Sequence, residues 1–446
     1  MYQPKPEVLK GKDWLMIWLY AIIVTIGIIC IYSVEYRAND SFFGALLDFK
    51  KNYSKQFIYL MFSVVIAILI LLTDSKFFTA TSNILYVFGI LLMMATFVAG
   101  KTVNGSRSWI PLGFMNLQPV ETCKIFTALA LAKYLSRNDT DFSKPRSQLI
   151  AAGLCFTPVL FSILQNETGL ALVYFSFLLP MYREGLPPGY LIVGASLAVL
   201  LVLTLLYPPK VLLITLTVIA ALCVYLMKRR IKRNKGILVM IVGVWIACAL
   251  FVGVAVPFMF KHVFQAYQTE RIFSMVGRDN PYINEGSPTA ASSNAKPKGD
   301  KENYNVKQSK IAIGSGGVLG KGFLKGTQTQ GDFVPEQHTD FIFTSLGENF
   351  GFVGSTILML LYLTMLLRIV YLAERQRSTF SRVYAYSVAG ILFFHIAINI
   401  CMTIGLAPVI GITLPLMSYG GSSLLTFTIL IFILIKLDAD RQMILR

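Results

Sequence analysis

Two pairs of charged residues in this 446-residue chain have the chemistry of a reaction centre. Asp279 and Asp300 lie in a long polar segment, where a carboxylate could act as a general base toward a hydroxyl group. Glu121 and Lys124 lie three residues apart in an apolar run, so they share one helix face and can form an ion pair. Charges inside apolar segments are costly, which makes this second pair a functional candidate, with a helix-pairing salt bridge as the alternative.

Further polar residues bracket the point where a glycine-rich segment, 304–343, re-enters the membrane, and this segment is expected to be largely outside it. Glu336, His338 and Asp340 would either line a binding site or cap the helix that begins near Phe341. Glu348 lies deeper in the next apolar run and is expected to line a polar cavity.

The elements that position these residues are predicted to be membrane helices. Hydrophobic residues make up 55% of the chain and charged residues 14%, which leaves too little polar surface for a water-soluble globule. A helix that crosses a bilayer needs about 20 apolar residues. The predicted fold is therefore an all-α polytopic integral membrane protein with about twelve transmembrane helices. Their ranges are 14–34, 56–73, 77–100, 119–135, 149–164, 168–182, 186–207, 211–227, 237–260, 341–367, 385–406 and 416–435.

Clustered cations predict the orientation of these helices. The basic loops 228–235 and 375–382 are expected in the cytoplasm, as are both termini. Residues 1–260 then hold the first nine helices, 261–340 form a large extracytoplasmic loop, and 341–446 hold the last three helices. Within the loop, 261–275 favours a helix in the interfacial layer, and 284–303 is predicted to be a disordered insert. The net charge of +17 is interpreted as topology charge with affinity for anionic lipid, and no nucleic-acid partner is expected.

Cysteine and histidine positions argue against a transition-metal enzyme. All six cysteines fall in apolar runs, and the three histidines do not cluster with acids at zinc spacing. His395, Asn399 and Thr403 make one polar stripe, which is expected to form hydrogen bonds between helices. Residues 418–423 are interpreted as a structural segment that lets helices approach closely or unwind.

Several motifs together resemble one known family. They are YNVKQSKIAIGSGGVLGKGFLKGTQTQ, VPEQHTDFIF and NICMTIGLAPVIGITLPLMSYGGSSLL, preceded by GSRSWIPLGFMNLQPVETCK and QNETGLAL. In this order they resemble the SEDS family (shape, elongation, division and sporulation), and within it the RodA branch more than the FtsW branch. The chain departs from the family pattern at Ser108 and Lys55, where arginine is usual, and at Glu167, which replaces an aspartate. Two helices beyond the usual ten are also predicted, at 186–227.

The resemblance implies a peptidoglycan glycosyltransferase that polymerises lipid II at the outer face of the bacterial cytoplasmic membrane, for cell elongation and shape. It implies a class B penicillin-binding transpeptidase as partner, within an elongation complex of membrane proteins. The acceptor hydroxyl needs a base, for which Asp279 matches the family's loop aspartate, with Asp300 as the rival and a plain Asx turn as the structural alternative for Asp279. The leaving pyrophosphate needs cations, for which Lys124 is a candidate.

The same resemblance suggests a substrate site and leaves the metal open. A divalent cation, Mg²⁺ or Mn²⁺, near Glu121 or Asp279 is one option, and no organic cofactor is expected. Two other functions remain as alternatives, a lipid II flippase and a non-enzymatic scaffold for the transpeptidase. The candidate substrate-binding residues are Lys55, Arg107, Trp109, Gln118, Glu121, Lys124, Glu167, Gln308, Ser309, Glu336, His338 and Glu348.

Overall fold

The computed structural model describes residues 11–36, 51–103, 106–113, 115–263, 269, 273 and 298–441. The chain divides into two compact units. The first comprises Met1–Leu186 and Val306–Arg446, and the second comprises Pro187–Asn305. In the part of the chain that is described, ten helices are long and apolar enough to cross a membrane.

The first unit is a bundle of helices with one small sheet. Its chain begins with α1 (Trp14–Glu35), α2 (Asn52–Leu72), α3 (Ser75–Ala99), β1 (Lys101–Val103), β2 (Ser106–Pro111), β3 (Asn116–Leu117), α4 (Pro119–Leu135), α5 (Pro145–Leu164), α6 (Thr168–Val173), a 3₁₀ turn (Tyr174–Phe177) and α7 (Leu178–Arg183).

The second unit begins with α8 (Pro188–Leu206), α9 (Pro209–Leu226), the short basic helix α10 (Lys228–Arg233), α11 (Gly236–Leu250) and α12 (Val256–Phe258), the last flanked by π-helical turns at Phe251–Ala255 and Met259–Val263. The boundary between the units falls inside α13 (Lys298–Ser315). The first unit then resumes with α14 (Thr327–Gln330), α15 (Ile342–Glu374), α16 (Thr379–Thr403) and α17 (Gly421–Ala439).

The predicted class of fold is confirmed, and each of the twelve predicted segments contains helix, although 385–406 and 416–435 overlap the non-helical residues 404–420. Ten of them are full-length candidate spans. The other two are shorter, because α4 has 17 residues and the segment 168–182 is broken into α6, a 3₁₀ turn and α7. The predicted extra pair at 186–227 corresponds to α8 and α9 of the second unit. Whether this pair is additional to the family's helices stays a prediction.

Burial separates central helices from peripheral ones in the first unit. Of the apolar stretch of each helix, 72% is buried in α16 and 78% in α17, against 17% in α2. Helix α2 instead exposes large apolar side chains such as Val65 and Leu69. In a bilayer these exposed apolar side chains can face lipid, whereas the two central helices are enclosed by protein and can carry buried polar groups.

A network of ion pairs joins helix termini at one end of the first unit. Asp13 caps α1 and accepts from Arg368 Nη2 at 2.6 Å. Arg375, just after α15, donates to Asp438 of α17 through Nε at 2.8 Å, and its Nη2 lies 3.6 Å from Asp13. Both carboxylates are almost fully buried. These contacts fix α1, α15 and α17 against one another.

Glycines shape the start of α15 and the loop before it. Gly351 has φ +62° and interrupts the helix, and a Cβ there would lie 2.3 Å from the backbone nitrogen of Gly320. Only glycine allows this combination of positive φ and close backbone approach. The three strands form a small antiparallel sheet in the order β1-β2-β3, between α3 and α4.

The predicted disordered insert is partly wrong. Helix α13 begins at Lys298, so 298–303 are helical, although the composition predicted disorder for all of 284–303. The helix continues to Ser315. Residues 284–297 lie outside the described part of the chain, as does 261–275 apart from 261–263, 269 and 273.

Candidate functional site

A non-helical loop, residues 404–420, connects the two central helices α16 and α17 and forms the centre of the site (the 404–420 loop). Irregular backbone in a membrane protein needs internal partners for its polar groups. Asn399 of α16 supplies one, because its Nδ2 donates to the carbonyl of Ile412 at 2.6 Å, and it also donates to the carbonyl of Asp340 before α15 at 2.8 Å. Tyr362 of α15 donates to the Pro415 carbonyl at 2.6 Å.

Gln56 of α2 supports the other end of this loop. Its side-chain amide donates to the Ser418 carbonyl at 3.3 Å and accepts from the Gly420 nitrogen at 3.1 Å. Ser418 in turn donates to the Thr339 carbonyl at 2.7 Å, and the Tyr419 nitrogen donates to the His338 carbonyl at 2.8 Å. The segment before α15 and the 404–420 loop therefore lie side by side.

Lys124 lies in α4 and is fully buried next to α16. Its Nζ is 2.7 Å from Nε2 of His395, and its distance to Oε1 of Glu121 is 3.9 Å. The predicted Glu121–Lys124 ion pair is present, but it is the longer of the two contacts. Because Lys124 has no exposed surface, a pyrophosphate cannot reach it in this conformation. The predicted role of Lys124 as a direct contact is therefore not supported by the geometry.

The N-terminus of α4 contacts the start of α17. The backbone nitrogen of Gln118 donates to Ser422 Oγ at 3.1 Å, and the side chain of Gln118 is buried. Ser423 Oγ and Thr413 Oγ1 are 2.9 Å apart, which links α17 back to the 404–420 loop. Gln118 thus takes part in the same assembly as Lys124.

Glu167 belongs to a second polar cluster, at the start of α6. Its Oε1 accepts from Ser108 Oγ of β2 at 2.6 Å, and Ser106 lies 2.9 Å from Ser108. Gln165 donates to the Thr96 hydroxyl and the Met93 carbonyl of α3, at 2.8 Å each. Ser108 and Glu167 are two of the positions at which this chain departs from the family pattern, and Ser108 donates a hydrogen bond to Glu167.

Arg107 faces away from this cluster. Its guanidinium donates to the carbonyls of Gly100 at 3.1 Å and Val98 at 2.9 Å, at the C-terminal end of α3. These carbonyls lack helical partners, so the arginine stabilises the helix end. Trp109, two residues later, is partly exposed.

Glycine 169 brings the start of α6 against the 404–420 loop. A Cβ at this position would lie 2.6 Å from the carbonyl oxygen of Ile410, a distance at which something must shift. The Glu167 cluster and the loop are consequently neighbours.

Glu348 is a buried structural acceptor, so the expectation that it lines a polar cavity is wrong. Its Oε1 accepts from Lys321 Nζ at 2.7 Å and from the Gln328 nitrogen at 2.8 Å, and its Oε2 accepts from the Thr329 nitrogen at 2.8 Å. The carboxylate has no exposed surface. It neutralises the free N–H groups at the start of α14, within the GTQTQ motif.

Ser309 of α13 is also an internal contact. It is fully buried, lies 2.6 Å from the Thr344 hydroxyl and donates to the Thr403 carbonyl at 2.8 Å. Gln308 beside it is partly exposed. Lys310 is exposed and packs along the start of the 404–420 loop, because a Cβ on Gly405 would lie 2.4 Å from its Nζ.

The remaining candidates lie at the surface. Lys55 in the first turn of α2 and His338 are half-buried, and the His338 ring packs 5.7 Å from the Tyr419 ring. Glu336 is exposed and accepts from the Thr339 hydroxyl at 2.9 Å. Helix α15 begins after Phe341, which provides no side-chain cap.

Sequence reasoning missed several connections at this site. His395 and Asn399 were expected to form hydrogen bonds between helices, and the structure shows them holding the 404–420 loop and, for His395, contacting Lys124. Thr403 differs, since its hydroxyl donates to Ile400 in its own helix. The i, i+4 spacing indicated a shared face, but no local signal indicated the partners.

Two of the predicted carboxylates have no described side-chain environment. Asp279 lies outside the described residues, and Asp300 lies in α13 in a stretch whose side chains are not described. No group of three His, Cys, Asp or Glu residues that could hold a metal occurs in the described ranges. The Glu121 carboxylate has the Lys124 ammonium 3.9 Å away, and this positive charge opposes a divalent cation at the same oxygens. A divalent cation near Glu121 or Asp279 stays a prediction.

Comparison with known proteins identifies the family. The sequence profile of the FtsW, RodA and SpoVE family, described as cell cycle protein, matches residues 13–236 and 191–443. Peptidoglycan glycosyltransferase MrdB of Escherichia coli K12 is 30% identical over 363 residues, covering 81% of this chain and 78% of the relative. Peptidoglycan glycosyltransferase RodA of Treponema pallidum is 30% identical over 447 residues, covering 96% and 97%.

Solved structures share the fold. A chain of a peptidoglycan synthase complex, described as coordinating polymerization and crosslinking, matches with a TM-score of 0.66 and 24% identity, covering 97% of this chain and 99% of that one. The rod shape determining protein RodA of Thermus thermophilus matches with a TM-score of 0.61 and 23% identity, covering 98% and 99%. The extent of the profile match and the identity to curated relatives along most of their length lead to one conclusion: this chain belongs to the SEDS family of shape, elongation, division and sporulation proteins.

Proposed function

We propose that this protein is a peptidoglycan glycosyltransferase that polymerises lipid II at the outer face of the bacterial cytoplasmic membrane, for cell elongation and shape. The observation that carries the proposal is the gathering of family motifs around the 404–420 loop. There, α4, α16, α17 and the segment before α15 meet in one polar assembly. Relatives that match along most of the chain are named peptidoglycan glycosyltransferases.

The charge distribution supports the orientation. Arg368, Arg375 and Arg382 lie at the end of the first unit opposite the 404–420 loop, near the termini of α15 and α16. Cytoplasmic ends of membrane helices are rich in arginine and lysine. The 404–420 loop is accordingly assigned to the outer face.

Asp279 is the proposed general base. It takes the proton of the acceptor hydroxyl while that oxygen bonds to the anomeric carbon of the donor sugar, and the bond from that carbon to the pyrophosphate breaks. One displacement inverts the anomeric configuration. The bonding electrons leave with the polyprenyl pyrophosphate, which cations must stabilise.

Surface cations are better placed than Lys124 for that task. Lys310 is exposed beside the 404–420 loop, and Lys55 is half-buried at the start of α2. Lys124 is enclosed by His395 and Glu121. A divalent cation near Asp279 would supply the same stabilisation of the pyrophosphate. No organic cofactor is required for this displacement.

A class B penicillin-binding transpeptidase is the proposed partner, within a complex of membrane proteins for elongation. The similarity in fold to a chain of a synthase complex that couples polymerization and crosslinking supports this pairing. The glycan strand that polymerisation produces is the substrate of transpeptidation, so a complex of the two enzymes would pass the strand directly from one to the other.

The test is polymerisation of labelled lipid II by the purified protein in liposomes, with and without its transpeptidase and with Mg²⁺ or Mn²⁺. Glycan polymer is the expected product. Translocation of lipid II across the bilayer without any polymer would instead support a flippase. If the protein neither polymerises nor translocates lipid II but increases the activity of the transpeptidase, the result would support a scaffold.

A further inference from the structure

His395 carries two contacts that the proposed reaction does not use. It lies in the central helix α16, is fully buried, and is the partner of the one lysine buried in α4. Its other ring nitrogen, Nδ1, is 3.2 Å from the carbonyl oxygen of Thr413 in the 404–420 loop. A single imidazole therefore bridges α4 and this loop.

The hydrogen-bond partners fix the protonation of this ring. A carbonyl oxygen only accepts, so Nδ1 must carry the proton that it shares with Thr413. A lysine ammonium only donates, so Nε2 must offer its lone pair to Lys124. The ring is thus neutral, with the proton on Nδ1. The position of the proton on His395 thus follows from the hydrogen-bonding chemistry of Thr413 and Lys124, since atomic positions do not distinguish the two tautomers.

Distances show which group holds the ammonium. The 2.7 Å contact with His395 is a short hydrogen bond, whereas the 3.9 Å contact with Glu121 is an ion pair beyond hydrogen-bond length. The ring of Phe427 adds a cation–π contact at 5.4 Å, and it packs edge-on to the His395 ring. Lysine has a flexible four-carbon stem, so its position depends on such partners.

We infer that His395 is a positioning residue that holds the Lys124 ammonium and couples it to the 404–420 loop. The role rests on the proposed function, because the loop and α4 carry the motifs of the polymerase. His395 does not touch the substrate in this account. It sets the positions of the buried Lys124 ammonium in α4 and of the 404–420 loop at Thr413.

Nitrogen-15 NMR of histidine-labelled protein in bilayers tests the bridge independently of activity. The chain has three histidines, and the His395 signals are those missing from His395→Gln. The expected spectrum has a neutral ring protonated at Nδ1, and its Nε2 signal moves in Lys124→Met. A ring protonated at Nε2, or signals unchanged in Lys124→Met, would overturn the inference. This readout stays decisive even if the wild type makes no polymer, which would refute the proposed function alone.

Two substitutions separate the two contacts in a polymerisation assay. His395→Gln places an amide oxygen near the Nε2 position and can still accept from Lys124, whereas His395→Asn retains only a donor near Nδ1 for Thr413. We expect His395→Asn to lower kcat about tenfold and to leave KM unchanged. A tenfold loss corresponds to the low end of the free energy of one hydrogen bond to a charged group. His395→Gln should retain most of the wild-type kcat. Equal rates for both variants, whether normal or reduced, would contradict the role, provided that both melt within a few degrees of wild type.

Discussion

Replacing Glu348 by glutamine should loosen the GTQTQ segment without removing any exposed group. The carboxylate accepts from Lys321 and Gln328 on one oxygen and from Thr329 on the other. In Glu348→Gln the amide oxygen can keep one side, but the NH₂ group then faces an N–H donor on the other. One charge-assisted bond is lost, the Lys321 ammonium loses its anionic acceptor, and the bond from the Gln328 nitrogen becomes neutral.

The size of the effect follows from these bonds. A hydrogen bond to a charged group contributes about 1.5–3 kcal/mol, and a neutral bond is roughly half as strong. Losing one hydrogen bond and weakening two others lowers the free energy of local opening by about 3 kcal/mol. This is at the low end of the cost of breaking a buried ion pair. Because each 1.4 kcal/mol is a factor of ten, local opening should increase roughly 100-fold.

Hydrogen–deuterium exchange with mass spectrometry measures this opening in peptides that cover α14. Glu336→Gln is the matched control, since the Glu336 side chain is exposed and its carboxylate accepts only from Thr339 among its described hydrogen bonds. Faster exchange in Glu348→Gln and normal exchange in Glu336→Gln are expected. Unchanged exchange in Glu348→Gln, with loss of lipid II binding, would refute the structural role and restore Glu348 as a substrate contact.

Two further predictions concern packing and buried charge. Gly169→Ala should destabilise the protein by about 1–3 kcal/mol, because the new Cβ overlaps Ile410, whereas Gly153→Ala meets nothing within 4 Å and should be neutral or slightly stabilising in thermal melts. Asp438→Asn should cost about 3 kcal/mol, because it removes the charge of a fully buried carboxylate that pairs with the partly exposed Arg375, whereas Asp141→Asn removes an exposed pair and should leave the melting temperature nearly unchanged. Equal melting temperatures within either pair of variants would contradict the packing or the ion-pair assignment.

The membrane helices were predictable because their signal is local. Runs of about 20 apolar residues give a helix wherever the backbone must satisfy its own hydrogen bonds. The same reasoning predicted a break between the helices 149–164 and 168–182, and α5 does end at Leu164 while α6 begins at Thr168. The prediction from composition failed at 298–303. A polar composition that cannot bury a core predicted disorder there, but these residues form the first turns of α13, whose later turns are packed through Ser309.

The site was only partly predictable because its contacts are distant in sequence. Lys124 and His395 are 271 residues apart, and Ser108 and Glu167 are 59 apart. Spacing identified Glu121 as the partner of Lys124, since only i, i+3 and i, i+4 neighbours are visible in a helix pattern. The shorter bond to His395 depends on how α4 packs against α16, which no local pattern encodes.

Polymerisation of lipid II by wild type, Asp279→Asn and Asp300→Asn, each with its transpeptidase at equal expression and equal complex formation, tests the central claim most directly. Polymer is expected from wild type and Asp300→Asn, and none is expected from Asp279→Asn. Polymer from Asp279→Asn would contradict the assignment of the general base. If Asp300→Asn alone were inactive, the base would be in α13 instead.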